Sequence, residues 1–192
     1  MPDTEELYAL QDNLSKCLKP QRYKHTLGVA YTAACLAMRY GLDPIKAELA
    51  GLLHDCAKAY STDKYIEMAY VYGIEVTDVY RANPGLLHAE LGAFLSKEKY
   101  GVNDTEILSA ISCHTTGKPG MTLFEKIIYI ADYIEPGRNK APRLNEIRQE
   151  AFNNIDNALV MILEDTINHI KTNGFVIDPA TMETYEYYRK AI

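Results

Sequence analysis

Tryptophan is absent from the 192 residues, phenylalanine occurs four times and histidine five times. Cysteine is equally scarce. Cys17, Cys35, Cys56 and Cys113 form no Cys-x-x-Cys pair and lack the density of a secreted disulfide scaffold, so they read as reduced thiols of an intracellular protein. Long apolar runs are missing too: stretches such as residues 158–163 fall far short of the roughly 20 residues that a transmembrane helix needs. Asp3, Glu5 and Glu6 precede any apolar stretch, the wrong charge pattern for a signal peptide. A cytoplasmic chain without membrane attachment is the expectation. Basic charge is also in deficit, with 20 Lys and Arg against 26 Asp and Glu. The net charge of −6 argues against a general nucleic-acid surface. It leaves room for a nucleotide substrate, because bound metal and a few lysines or arginines make a local cationic pocket.

What is present suits a globular fold. With 47% apolar and 24% charged residues the composition is ordinary. A chain of this length buries roughly 70% of its unfolded surface, so neither disulfides nor a structural metal is needed for folding. Val29, Ala33, Leu36, Ala37 and Tyr40 recur at helical spacing and stop at Gly41. Asp43 and Pro44 then supply an N-cap and a proline at the first helical position. Ser61 or Thr62 opens a further helix that Gly73 closes. Asn83, Pro84 and Gly85 form a loop before a helix ended by Gly101, and Asp104 or Thr105 starts the next. Thr122 and Glu125 make a capping box for an apolar helix that Pro136 and Gly137 terminate. A last long helix is expected from about Asn153 to Lys171, with a short one near Tyr185. No window alternates with period two. The reading is an all-α, single-domain helical bundle over residues 1–192, with a motif-bearing core at about 18–138 and C-terminal helices at about 140–192 packed on it. Residues 115–120 and 135–142 are its most loop-like stretches. Gly-Leu-Leu-His occurs at 51–54 and again at 85–88, too short for a repeat but enough to give two histidines similar surroundings.

His25, His54, His88 and His114 fall at or near the ends of different helices, and Asp55 follows His54 directly. Asp132 lies in an otherwise apolar helix, where an unpaired carboxylate is costly to bury. A lone histidine is most often a hydrogen-bonded or surface residue, and Asp132 alone could be a cap or an ion-pair partner. The ordered set His, His-Asp, His, His, Asp on a helical background alters that reading toward metal binding. Imidazoles with carboxylates suit iron, manganese, zinc or cobalt better than magnesium. Neighbouring helical residues point about 100° apart, so His54 and Asp55 can face one cleft. The two oxygens of Asp55 could bridge two ions, and a pair roughly 3.5–4 Å apart generates hydroxide at neutral pH and stabilises phosphoryl-transfer charge. Lys58, three residues after Asp55, points to the same side and could meet a phosphate as a point charge.

The order of these residues resembles the HD-domain metal-dependent phosphohydrolases. The blocks at 22–29 (Arg-Tyr-Lys-His-Thr-Leu-Gly-Val), 51–58 (Gly-Leu-Leu-His-Asp-Cys-Ala-Lys), 114–117 (His-Thr-Thr-Gly) and 130–138 (Ile-Ala-Asp-Tyr-Ile-Glu-Pro-Gly-Arg) are more narrowly similar to the bacterial YqeK family. That resemblance implies a symmetrical bis(5′-nucleosyl)-tetraphosphatase with a di-iron centre, cleaving diadenosine tetraphosphate into two ADP; manganese, cobalt and zinc are the other candidate metals. By position it implies that His25, His54, Asp55 and Asp132 hold one ion, and that His88 and His114, with Asp55 bridging, hold the other. Asp55 and Lys58 would be catalytic. His25, His88 and Asp132 would touch substrate as well as metal, and Arg22, Lys58 and Arg138 would contact phosphate. Lys140, Arg143 and Arg148 divide evenly between a substrate lip and a solvated face. Thr115 and Thr116 either bond phosphate or cap a helix end. Phe175 reads as an adenine-stacking ring or, more readily, as a core aromatic. His169 faces outward and is not a candidate ligand, and Cys56 and Cys113 read as buried apolar groups. The tyrosines, with leucine and isoleucine positions, are candidates for a homodimer face. Two rival readings stand beside the leading one. One is an HD phosphohydrolase acting on a nucleoside mono- or triphosphate or a guanosine polyphosphate, separable by product identity. The other is a non-catalytic dinucleotide-polyphosphate sensor, which would bind without turnover.

Overall fold

The structure is a computed structural model that describes residues 2–190. Its helices follow from local signals. The first, α1 (Thr4–Cys17), begins with a reciprocal capping box between Asp3 and Glu6. Helix α2 (Pro20–Tyr40) starts on a proline at its first position and ends at Gly41 in the left-handed conformation, which glycine adopts without a Cβ clash. The Asp43 side chain accepts from the Ile45 and Lys46 amides to start α3 (Pro44–Leu53). Then come α4 (Tyr65–Tyr72), α5 (Asp78–Ala82), α6 (His88–Glu98), and α7 (Thr105–Cys113) with its Asp104 cap. The expected Thr122–Glu125 capping box opens α8 (Leu123–Ile134). The chain finishes with α9 (Leu144–Asn153), α10 (Ile155–Thr172) and α11 (Pro179–Tyr188). Among the described residues there is no strand, so the all-α expectation is borne out.

Helix α8 is the hub of the bundle. It packs against α2, α3, α7, α9 and α10. Phe124, Ile127, Ile128, Ile130, Ala131 and Ile134 are all buried, and each large one contributes about 1.5–3 kcal/mol. Helices α2 and α3 approach so closely that a Cβ on Gly51 would lie 2.5 Å from Ala30 Cα. That contact fixes the C-terminal end of α3, where His54 and Asp55 follow. No helix among the described residues is long and apolar enough to cross a membrane.

Three expectations need correction. The last long helix starts at Ile155 because Asn154, with φ −141 and ψ 101, breaks the chain and caps α10 through its side chain. Within the expected C-terminal helices a separate one, α9, precedes the long helix and is not delimited by the sequence pattern; its apolar face is only Leu144, Ile147 and Ala151, too thin to dominate a charged stretch. Phe175 is not a core aromatic: it stands 66% exposed between α10 and α11.

Candidate metal centre

Five helices bring the ligand candidates to one place. His25 lies within α2, His54 caps the end of α3 with Asp55 next to it, His88 starts α6, His114 caps the end of α7, and Asp132 sits in the last turn of α8. His54, Asp55, His88 and His114 are buried. The carboxylate of Asp55 divides the cluster. Its Oδ2 faces His25 Nε2 at 3.9 Å and His54 Nε2 at 3.5 Å, whereas Oδ1 faces His88 Nε2 at 3.4 Å and His114 Nε2 at 3.9 Å. Asp132 Oδ1 joins the first group, 3.0 Å from His25 Nε2 and 3.9 Å from His54 Nε2.

The protons on these rings are set by their other nitrogen. His54 Nδ1 donates to Gly51 O at 2.7 Å, His88 Nδ1 to Gly85 O at 2.5 Å and His114 Nδ1 to Ile111 O at 2.7 Å. A carbonyl oxygen only accepts, so in each neutral ring Nδ1 keeps the proton and Nε2 presents a lone pair. The two Gly-Leu-Leu-His segments therefore make the same bond, each histidine reaching the carbonyl of its own glycine. Without a cation these lone pairs face one another: His88 Nε2 and His114 Nε2 are 3.1 Å apart. His25 Nε2, His54 Nε2 and Asp55 Oδ1 are buried and lack a hydrogen-bond partner among the described residues. Inward-facing imidazole and carboxylate donors left unpaired fit divalent metal ions, and two sets gather their donor atoms within 4.8 Å: His25, His54 and Asp55, and Asp55, His88 and His114.

The charge states of Asp55, Asp132, His88 and His114 agree with that fit. Burial opposes ionisation of Asp55, yet the surrounding imidazoles of His54, His88 and His114 hold its carboxyl well below the usual range. Asp132 is likewise held far down, against burial, by His25, whose Nε2 lies 3.0 Å from its Oδ1, and by His54, Arg138 and His114. Burial and the neighbouring His114 push His88 down to about 3, so its imidazole is neutral and ready to ligate. Burial and His54 lower His114, whereas the carboxylates of Asp55 and Asp132 outweigh burial and raise His54.

Around the donors lie cations. Arg22 Nη1 is 2.7 Å from Asp55 Oδ2. Arg138 bonds Asp132 twice, from Nη2 to Oδ1 at 3.0 Å and from Nε to the backbone oxygen at 3.1 Å. Lys58, on a 3-10 turn (Cys56–Ala59), is half-buried and has no ion-pair partner within 4.0 Å among the described residues. Burial lowers its pKa, only partly offset by the Asp55 charge. Thr115 Oγ1 lies 3.2 Å from His88 Nε2. Lys140 lines a groove of about 390 Å³ with Tyr133, Arg138 and His169.

Other residues turn out differently. Arg143 pairs with Asp165 at 2.6 Å and Glu164 at 3.2 Å, and Arg148 donates to the carbonyls of Ile134, Glu135 and Arg138. Arg143 is exposed, on the solvated face, and held there by these acids, whereas Arg148 is partly buried and spent on backbone carbonyls. Cys56 and Cys113 are buried thiols, each pushed up to about 12 chiefly by burial, as expected of apolar packing groups. His169 is exposed, as expected. Glu135 was not singled out in the sequence, yet it is 4% exposed and lies 3.1 Å from His25 Nδ1.

Comparison with known proteins decides the family. The HD domain model matches residues 22–137. The chain belongs to the HD-domain family. It is 41% identical over 177 residues to the symmetrical bis(5′-nucleosyl)-tetraphosphatase of Bacillus subtilis, covering 89% of this chain and 93% of that one. The protein of the same name from Staphylococcus aureus is 38% identical over 173 residues, with 89% and 88% covered. A crystal structure of a predicted HD superfamily hydrolase involved in NAD metabolism from Clostridium acetobutylicum superposes with a TM-score of 0.91 at 42% identity, covering 96% of this chain and 97% of that one. The YqeK-type resemblance read from the four motif blocks is thus borne out over most of the chain.

Proposed function

We propose that this HD-domain protein hydrolyses diadenosine tetraphosphate symmetrically to two ADP at a centre of two metal ions, iron being the leading candidate. The observation that carries the reading is the division of Asp55, one oxygen toward each histidine group, beside a lysine that has no carboxylate partner. His25, His54, Asp55 and Asp132 would hold one ion, and Asp55, His88 and His114 the other. Bound there, the ions would supply Lewis acidity and an activated water.

The rest of the chemistry belongs to the chain. A half-buried, unpaired Lys58 is a cation in want of an anion, and an inner phosphate of the substrate satisfies it. Arg22 and Arg138 already grip carboxylates of the cluster and present the remaining guanidinium donors to phosphate oxygens. The Thr115 hydroxyl is within reach of the same oxygens that approach His88. Exposed Phe175 is free to stack on a nucleobase. ADP departs as a stable anion, which lessens the need for a strong general acid. The relatives bearing the symmetrical tetraphosphatase name support this substrate, and the reading needs neither a nucleic acid nor a membrane partner.

The test is incubation of the anaerobically iron-loaded protein, beside a chelated control, with diadenosine tetraphosphate, and separation of products by anion exchange. ADP as sole product supports symmetrical cleavage. AMP with ATP would overturn the cut position, and binding of the dinucleotide without product would replace the enzyme with a sensor.

A further inference from the structure

Three of the four cluster histidines lie at helix boundaries, and each donates its Nδ1 proton to the carbonyl three residues back. His25 differs. It lies inside α2, where carbonyls one turn back are engaged by the helix itself. Its Nδ1 therefore needs an acceptor from elsewhere, and Glu135 Oε1 is 3.1 Å away. The other oxygen of Glu135 accepts the Gly137 amide at 2.5 Å. Space around this carboxylate is closed by its neighbours: a Cβ on Gly28, one turn along α2 from His25, would lie 2.5 Å from Glu135 Oε2, and one on Gly137 would lie 2.9 Å from it. Arg148, from α9, holds the Ile134, Glu135 and Arg138 carbonyls and so fixes the segment that carries the carboxylate.

We infer that Glu135 is the positioning residue of the metal centre. It accepts the Nδ1 proton of His25 and so holds that ring with Nε2 turned to the side of the cluster where Asp132 and Asp55 lie. Glutamine cannot replace it. Both carboxylate oxygens accept, one from His25 and one from Gly137, whereas an amide would set an NH2 group against one of the two donors. Carboxylate partners of metal-ligating histidines typically contribute about 10–100-fold to metal affinity. The inference rests on the metal-centre reading for its consequence but not for its geometry, and the two are separable by experiment.

The first measurement is the tautomer of His25 in metal-free protein, by long-range 1H–15N correlation of the imidazole. Wild type should keep a proton on His25 Nδ1, and Glu135→Ala and Gly28→Ala should shift it to Nε2, where Asp132 Oδ1 at 3.0 Å accepts, while His54, His88 and His114 keep theirs on Nδ1. The second is Co(II) affinity by calorimetry in wild type, E135A, H25A and the double variant. E135A should weaken binding about 10–100-fold, and the same change in the H25A background should have almost no further effect. A purely structural glutamate would instead weaken the H25A protein by a similar additional factor. A proton still held on His25 Nδ1 in folded E135A, or additive losses in the cycle, would overturn the assignment. If wild type bound no cobalt, the metal reading would fall, and the tautomer measurement would still decide the role of Glu135.

Discussion

Arg22 on α2 and Asp55 after α3 form an ion pair of 2.7 Å through Oδ2, the carboxylate oxygen that also faces His25 and His54. The guanidinium therefore stands at the edge of the metal centre with part of its donor fork free. Arg22→Ala should lower kcat/KM for diadenosine tetraphosphate about 10–100-fold, the equivalent of a charge-assisted hydrogen bond of about 1.5–3 kcal/mol. Arg22→Lys should recover only part of the loss, because an ammonium lacks the planar fork. Steady-state kinetics with metal content measured on the same samples separates substrate binding from metal loss; an unchanged kcat/KM would remove Arg22 from the substrate site.

Lys58 carries no structural ion pair, so its removal should leave the fold intact. We expect Lys58→Met to keep the wild-type melting temperature and metal content while losing about 10–100-fold in kcat/KM. A large fall in thermal stability without a kinetic defect would assign the lysine to packing.

Stripping metal should destabilise the protein. A ligand held at about 100 times its Kd stabilises by about 2.7 kcal/mol, so chelation should lower Tm by about 5–10 °C in a chain of this size. Differential scanning fluorimetry with and without added Mn(II) reads the change. Asp55→Ala should abolish the response together with hydrolysis, and activity surviving in that variant with both metals bound would contradict a bridging Asp55.

Glu125 gives a pH prediction away from the metal centre. Burial favours its neutral form, but Lys118, Ser109 and the Thr122 amide outweigh burial and hold the carboxyl below its ordinary 4.5. Its folded pKa being the lower one, its contribution is complete above 4.5 and is lost as pH falls through the folded value. Urea unfolding at about pH 7 should show Glu125→Gln destabilised by about 1–3 kcal/mol, and the gap should narrow as the pH is taken below about 4. A gap that widened on acidification would reverse the sign of the argument.

Arg148→Ala should act through the loop that follows α8. Three backbone carbonyls lose their donor, and we expect a cost of about 2 kcal/mol, or about 4–8 °C in Tm. Faster amide exchange confined to residues near 135–138 would locate the effect. Uniformly faster exchange would mean a general loss of packing.

The sequence exposed the helices that carry their own punctuation. Gly41, the Asp43–Pro44 pair and the Thr122–Glu125 box each act within one turn, and each boundary stands where those residues place it. Helix α9 was hidden because its apolar stripe is three residues wide and its N-cap, Arg143, has a left-handed backbone at φ 50 that no local pattern announces. The metal-ligand candidates were legible because imidazole and carboxylate in a fixed order are rare, and the resemblance to HD hydrolases supplied that order. The surroundings of the centre were not. Glu135 reads as one more acidic residue at a helix end until α2 and α8 are side by side, and Arg148 reads as surface charge until α9 exists. Pairings of 110 residues, as between His25 and Glu135, leave no trace in spacing.

The short bonds from His54, His88 and His114 to carbonyls three residues back also bear on how the protein acquires its centre. Those rings take their orientation from the backbone that carries them, as soon as each helix end forms and before any long loop closes. The ring of His25 waits for a contact that spans more than half the chain. The side of the cluster formed by Asp55, His88 and His114 therefore closes over the shorter stretch, residues 55–114, and the side containing His25 matures last, with the docking of α2 on α8. In a refolding reaction run with Co(II) present, uptake should come in two phases, the slower one keeping time with global folding.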